Sequence, residues 1–75
     1  MAAGHGRAPA ERRMVNDIAR QLGYLPAEEA AEAIAGHVRR FWDPRMRARL
    51  FALVDDGADG LDPLAVAAAA RLRPQ

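Results

Sequence analysis

Three groups of residues in this chain have the types and spacing to do chemistry. The first is the run Asp55, Gly57, Asp59, Gly60, Asp62, which has the outline of a calcium loop. It fails where ligands matter: Gly57 takes the third position, and Val66 stands where a bidentate Glu belongs. A turn followed by a helix cap accounts for the same residues. The second group is the two imidazoles, His5 and His37. Neither has a partner at metal or triad spacing, so a packed or surface imidazole is the reading for His37. The chain contains no Cys, Ser or Thr. That removes disulfides, thiolate metal ligands, iron–sulfur ligation, thiol nucleophiles and hydroxyl nucleophiles of the usual acyl-transfer kind. The remaining carboxylates fall at helix starts and turns, where capping explains them, and no enzyme active on its own emerges.

The third group carries the argument. Residues 37–50, HVRRFWDPRMRARL, hold the only Trp, one of two Phe, one of two His and five of the eleven Arg. Arg39, Arg40, Arg45, Arg47 and Arg49 flank Phe41 and Trp42 across an Asp43-Pro44 step. Trp, Phe, Met and Arg together are the residues enriched at protein-interface hot spots. Two other readings stay open. Arg stems can simply cover apolar surface on solvated helix faces. A nucleic-acid groove needs a larger basic excess than the net charge of +1.

The elements that must position this stretch are helices. A first helix is predicted from about Pro9 to Leu22, with Met14, Val15, Ile18 and Leu22 on one face and Gly23 as C-cap. Pro26 opens a second at its first helical position, with Glu28 and Glu29 complementing the dipole. Its apolar stripe is Ala27, Ala30, Ile34, Val38 and Phe41. Asp43 is a preferred N-cap and Pro44 a preferred first residue, so one helix ends near Trp42 and a third starts at Pro44. The joint is too short to flex and must be a fixed corner.

The third helix runs to about Asp55 on Met46, Leu50, Leu53 and Val54. Phe51 falls about 120° from that stripe at 100° per residue, which favours a partner contact. Asp62-Pro63 repeats the start signal for a short fourth helix with Leu61, Leu64, Ala68 and Leu72 on its face. The expected architecture is all-α: one small domain over residues 9–73, three to four short helices with tight Asp-Pro corners, after a disordered lead over residues 1–8.

A chain of 75 residues makes one domain at most. Half its residues are apolar, but many are Ala and bury little area, so the margin of stability is thin. No apolar run reaches the roughly 18 residues of a membrane span, and the N-terminal MAAGHGRAPAERR has no hydrophobic signal core. Cytoplasmic location is the expectation.

The segment AIAGHVRRFWDPRM, residues 33–46, resembles the hallmark AIAxHIRxFWDPRM of the delta subunit of soluble NAD-dependent formate dehydrogenases. MVNDIA at 14–19 is similar to that family's early M-x-N-x-I-A segment, and GLDPL at 60–64 to its late G-L-x-P-L segment. The Ala run after Leu64 departs from the larger aliphatics of the family, and the lead before Met14 has no counterpart.

The resemblance implies a non-catalytic accessory subunit of an enzyme that oxidises formate and reduces NAD. In that family the molybdenum bis-guanine-dinucleotide cofactor and iron–sulfur clusters sit on the alpha subunit, and FMN and further clusters on others. The delta subunit binds no cofactor, metal or small-molecule substrate and supports assembly or stability of the complex.

The expected partner is therefore the catalytic alpha subunit and its complex, with no nucleic acid and no membrane. Phe41, Trp42, Met46 and Phe51 are expected to insert into it, Asp43 and Pro44 to fix the angle, and Arg39, Arg40, Arg45 and Arg47 to pair with acidic groups. In the competing reading, Trp42 and Asp43-Pro44 hold this domain's own helices together. A small nucleic-acid-binding or regulatory protein and a self-associating helical module are the remaining alternatives.

Overall fold

The computed structural model describes residues 10–73, and the lead expected over residues 1–8 and the helix start expected at Pro9 lie outside them. Four helices follow one another: α1 (Ala10–Leu22), α2 (Ala27–Phe41), α3 (Pro44–Asp55) and α4 (Pro63–Leu72). There is no strand among the described residues, so the expected all-α class holds. No helix among them is long and apolar enough to cross a membrane.

Both Asp-Pro steps cap helices as their chemistry dictates. Asp43 is extended (φ −80°, ψ 170°), and its carboxylate accepts the Met46 N–H at 2.9 Å. Asp62 accepts the Leu64 N–H at 2.8 Å. In each case Pro occupies the first helical turn, where an N–H has no intrahelical acceptor to lose. The far end of α3 closes on Gly57 at φ +106°, a backbone that glycine adopts without steric cost. The Ala58 N–H reaches the Leu53 carbonyl at 2.9 Å and the Gly57 N–H that of Val54 at 3.2 Å, the paired bonds of a Schellman closure.

Two boundaries differ from expectation. Pro26 is the cap residue of α2 rather than its first residue, its carbonyl accepting the Ala30 N–H at 2.8 Å. Gly23 is not left-handed: among the described residues positive φ occurs at Gly57, Ala58 and Gly60. The chain instead leaves α1 through successive turns, Gly23 N–H to Arg20 and Leu25 N–H to Leu22.

The core gathers Val15 and Ala19 of α1, Ile34, Ala35 and Val38 of α2, Trp42, Leu50 of α3, and Ala65, Ala68 and Ala69 of α4. The most extensive contact is between α2 and α4. The residues that α4 buries are all alanines, and α2 buries Ala30, Ala31 and Ala35 beside its two large aliphatics. Short side chains let two helices approach closely, so Ala65, Ala68 and Ala69 form the packing face of α4, while Ala67 and Ala70 are exposed. Leu61, Leu64 and Leu72 lie half-buried around it. On α1, Met14 is 38% exposed, and Glu11 is buried in its place.

Polar clamps join the helices at their ends. Asn16 of α1 donates to the Gly60 carbonyl at 2.7 Å and accepts the Asp62 N–H at 2.8 Å, tying α1 to the α3–α4 turn. Arg49 of α3 meets buried Glu11 at 3.0 Å. Arg71 of α4 bridges Glu28 at 3.4 Å and Glu32 at 3.2 Å on α2. Arg73 binds Asp55 and the Phe51 carbonyl of α3.

Candidate functional site

The corner between α2 and α3 is built by a change of backbone direction at one residue. Phe41 is the last helical residue of α2, while Trp42 is extended (φ −95°, ψ 138°) though its N–H still bonds to the Val38 carbonyl at 2.9 Å. Adjacent side chains therefore diverge. Trp42 turns inward and is 4% exposed, within the core cluster; Phe41 is 65% exposed. Arg47 donates to the Trp42 carbonyl at 2.7 Å and satisfies one of the acceptors that α2 leaves open at its end. The corner is thus bolted from both sides: by an indole beneath it and a guanidinium across it.

Asp43, Pro44 and Arg45 are exposed on the crest of the corner. The Met46 N–H, as the largest influence, holds the Asp43 carboxyl below its ordinary value, with smaller help from the Arg45 backbone and the charges of Arg45 and Arg49. Met46 is half-buried and packs against the core, as does Phe51. The Arg73 guanidinium lies 4.8 Å from the Phe51 ring centroid and covers it.

The expected contact residues therefore separate into two sets. Arg39, Arg40, Phe41, Asp43, Pro44 and Arg45 face solvent; Trp42, Met46, Arg47 and Phe51 support them from within.

The five arginines separate too. Arg47 and Arg49 are engaged inside the domain, and Arg39 lies 4.0 Å from Glu32. Arg40 leans over the Phe41 ring at 6.0 Å. Neither Arg40 nor Arg45 has a carboxylate partner among the described residues.

Beside the corner lies a cleft that the sequence pattern does not reveal. His37 stands one turn before Phe41 on α2, and the two rings meet at 4.8 Å between centroids, tilted by 47°. With Leu22 from the end of α1 and Ala33 and Gly36 from α2, they line an open cleft of about 760 Å³ rimmed by Arg39 and Arg40. The only available signal was the i, i+4 spacing of His37 and Phe41, which reads equally well as the flank of a buried stripe. The arrangement has no Cys, Ser or Thr nucleophile and no group of three or more potential metal ligands among the described residues. What it offers is an exposed aromatic pair, a cavity and cationic groups on a rigid corner.

The sequence profile of a family described as the NADH-dependent formate dehydrogenase delta subunit, FdsD, matches residues 13–69. No curated protein and no solved structure matches the chain.

Proposed function

The chain belongs to the family of NADH-dependent formate dehydrogenase delta subunits, and from that premise we propose that it is a non-catalytic accessory subunit supporting assembly or stability of the complex. It docks on the catalytic alpha subunit, which carries the molybdenum cofactor in enzymes of this kind, through the corner formed by Phe41, Trp42, Asp43 and Pro44. One observation supports this reading above the others. Phe41 stays 65% exposed on a corner that is otherwise anchored in the core.

An exposed aromatic flanked by Arg is the composition of an interface hot spot. Trp42 and Arg47 keep the corner rigid, so little conformational entropy is lost when it engages. Arg39, Arg40 and Arg45 meet acidic groups of the partner at the rim, while Met46 and Phe51 back the contact from beneath.

The test is co-expression of the tagged chain with the formate dehydrogenase subunits, followed by pull-down at several salt concentrations. Wild type recovers the alpha subunit, and Phe41→Ala and Arg45→Ala recover less while keeping the wild-type circular dichroism spectrum. A wild-type chain that brings down no subunit of the enzyme ends the proposal. Recovery of nucleic acid in a steeply salt-dependent manner favours the nucleic-acid reading instead.

A further inference from the structure

We propose that the cleft between the end of α1 and the outer face of α2 receives a bulky apolar side chain from an acidic segment of the partner subunit. This inference rests on the subunit reading above and extends the docking surface from the corner onto α1 and the middle of α2.

The first ground is Gly36. It lies within α2, a helix of 15 residues, where glycine weakens a helix relative to alanine. Its backbone is not left-handed, and a methyl group added to it meets no atom within 4 Å. Nothing inside the domain requires the missing side chain. Gly36 instead leaves open the floor of the cleft, between Ala33 and His37.

The second ground is the cleft's shape and composition. The cleft is open, and its volume of about 760 Å³ leaves room for a bulky side chain. Leu22, Phe41 and His37 supply an apolar and aromatic lining. Phe41, the last wall of the cleft, is one of three exposed large hydrophobic residues among those described.

The third ground is charge. Arg39 and Arg40 stand at the rim, and Arg45 follows on the corner. Asp43, the one carboxylate of the corner, is committed to the Met46 N–H. Arg40 and Arg45 have no carboxylate partner among the described residues, so an incoming segment with acidic groups finds cations ready. An apolar anchor in the cleft with acidic flanks at the rim uses both the apolar lining and the cationic rim.

Gly36→Trp is the decisive variant, because Gly36 lines the cleft and a Cβ at this position meets no atom within 4 Å. Co-expressed with the formate dehydrogenase subunits, it is expected to recover them about tenfold less than wild type, as for loss of a central interface contact. Phe41→Ala, at an exposed position, is expected to do the same and serves if Gly36→Trp does not fold. The pair Arg39→Glu and Arg40→Glu is expected to weaken recovery by a similar factor.

Wild-type recovery alongside folded Gly36→Trp recovered equally well overturns the cleft proposal and leaves the subunit reading intact, whereas equal recovery of folded Phe41→Ala also removes Phe41 from the docking corner. Charge reversal without effect overturns the acidic occupant. A wild-type chain that recovers no subunit removes both readings. A free chain that sediments as a dimer, and as a monomer with Gly36→Trp, assigns the cleft to a second copy and overturns the proposal.

Discussion

Asp43 is the residue at which charge and backbone converge. Its ionised carboxylate accepts the Met46 N–H and starts α3, and that bond holds its pKa below the ordinary value of 3.8. A group with a lowered folded value contributes stability that is complete above its unfolded value and disappears as pH falls through the folded one. The cap's contribution therefore begins to decline near pH 3.8 and is gone below the lowered folded value. Asp43→Asn keeps an acceptor at the cap but does not titrate. The gap in melting temperature between wild type and Asp43→Asn, followed by circular dichroism, is expected to be constant above about pH 5 and to move against wild type below 3.8. A gap that stays flat through the acid range means the carboxylate charge does not hold the corner. Caps of this kind are legible in sequence because donor and acceptor lie within three residues of each other. The opposite fates of Phe41 and Trp42 are not, because they depend on the residue at which the helix stops. The burial of Glu11 is hidden for a different reason: its partner Arg49 lies 38 positions away.

At the scale of elements, the α2–α4 contact decides how the domain responds to mutation. Ala68 is completely buried on the α4 face that packs within the core, so Ala68→Leu must force atoms into filled space. It is expected to cost about 1–3 kcal/mol, read by urea unfolding with Trp42 fluorescence as the probe. A neutral or stabilising result means that the two helices are less closely packed than described here. Asn16 gives the complementary case. Asn16→Ala removes both its bonds to the α3–α4 turn and exposes or orphans the Asp62 N–H, at an expected cost of about 1–3 kcal/mol in the same assay. The number and approximate ends of the helices were readable because Pro, Gly and Asp punctuate them. The packing faces were less so: hydrophobic periodicity gives weight to Met14 and Leu64, whereas Ala19, Ala65 and Ala69 are buried beside the expected Ala68. The cleft beside Phe41 was invisible for a related reason, since it is defined by what Gly36 lacks.

Among the described residues of the molecule, the core holds twelve buried apolar residues, and seven of them are alanines. A domain of 75 residues at a typical 0.05–0.15 kcal/mol per residue is stable by roughly 4–11 kcal/mol. Trp42 is the largest side chain in that core, and Trp42→Ala is expected to cost about 3–5 kcal/mol, enough to unfold much of the free chain on mild warming. On the docking proposed above, partner binding opposes this loss. A partner present at about 100 times its dissociation constant stabilises the folded chain by about 2.7 kcal/mol. The two neighbouring aromatics should therefore fail in opposite ways. Trp42→Ala loses helical signal when purified alone, yet part of it is recovered with the enzyme when the subunits are co-expressed. Phe41→Ala keeps its helical signal alone and is not recovered. Circular dichroism of each free variant, set beside the yield of each from the co-expressed complex, reads both effects. If Phe41→Ala unfolds the free chain as Trp42→Ala does, both rings serve the domain's own core, and the corner loses its claim as a docking surface. If Trp42→Ala stays folded alone, the burial of its indole contributes less than this small core implies.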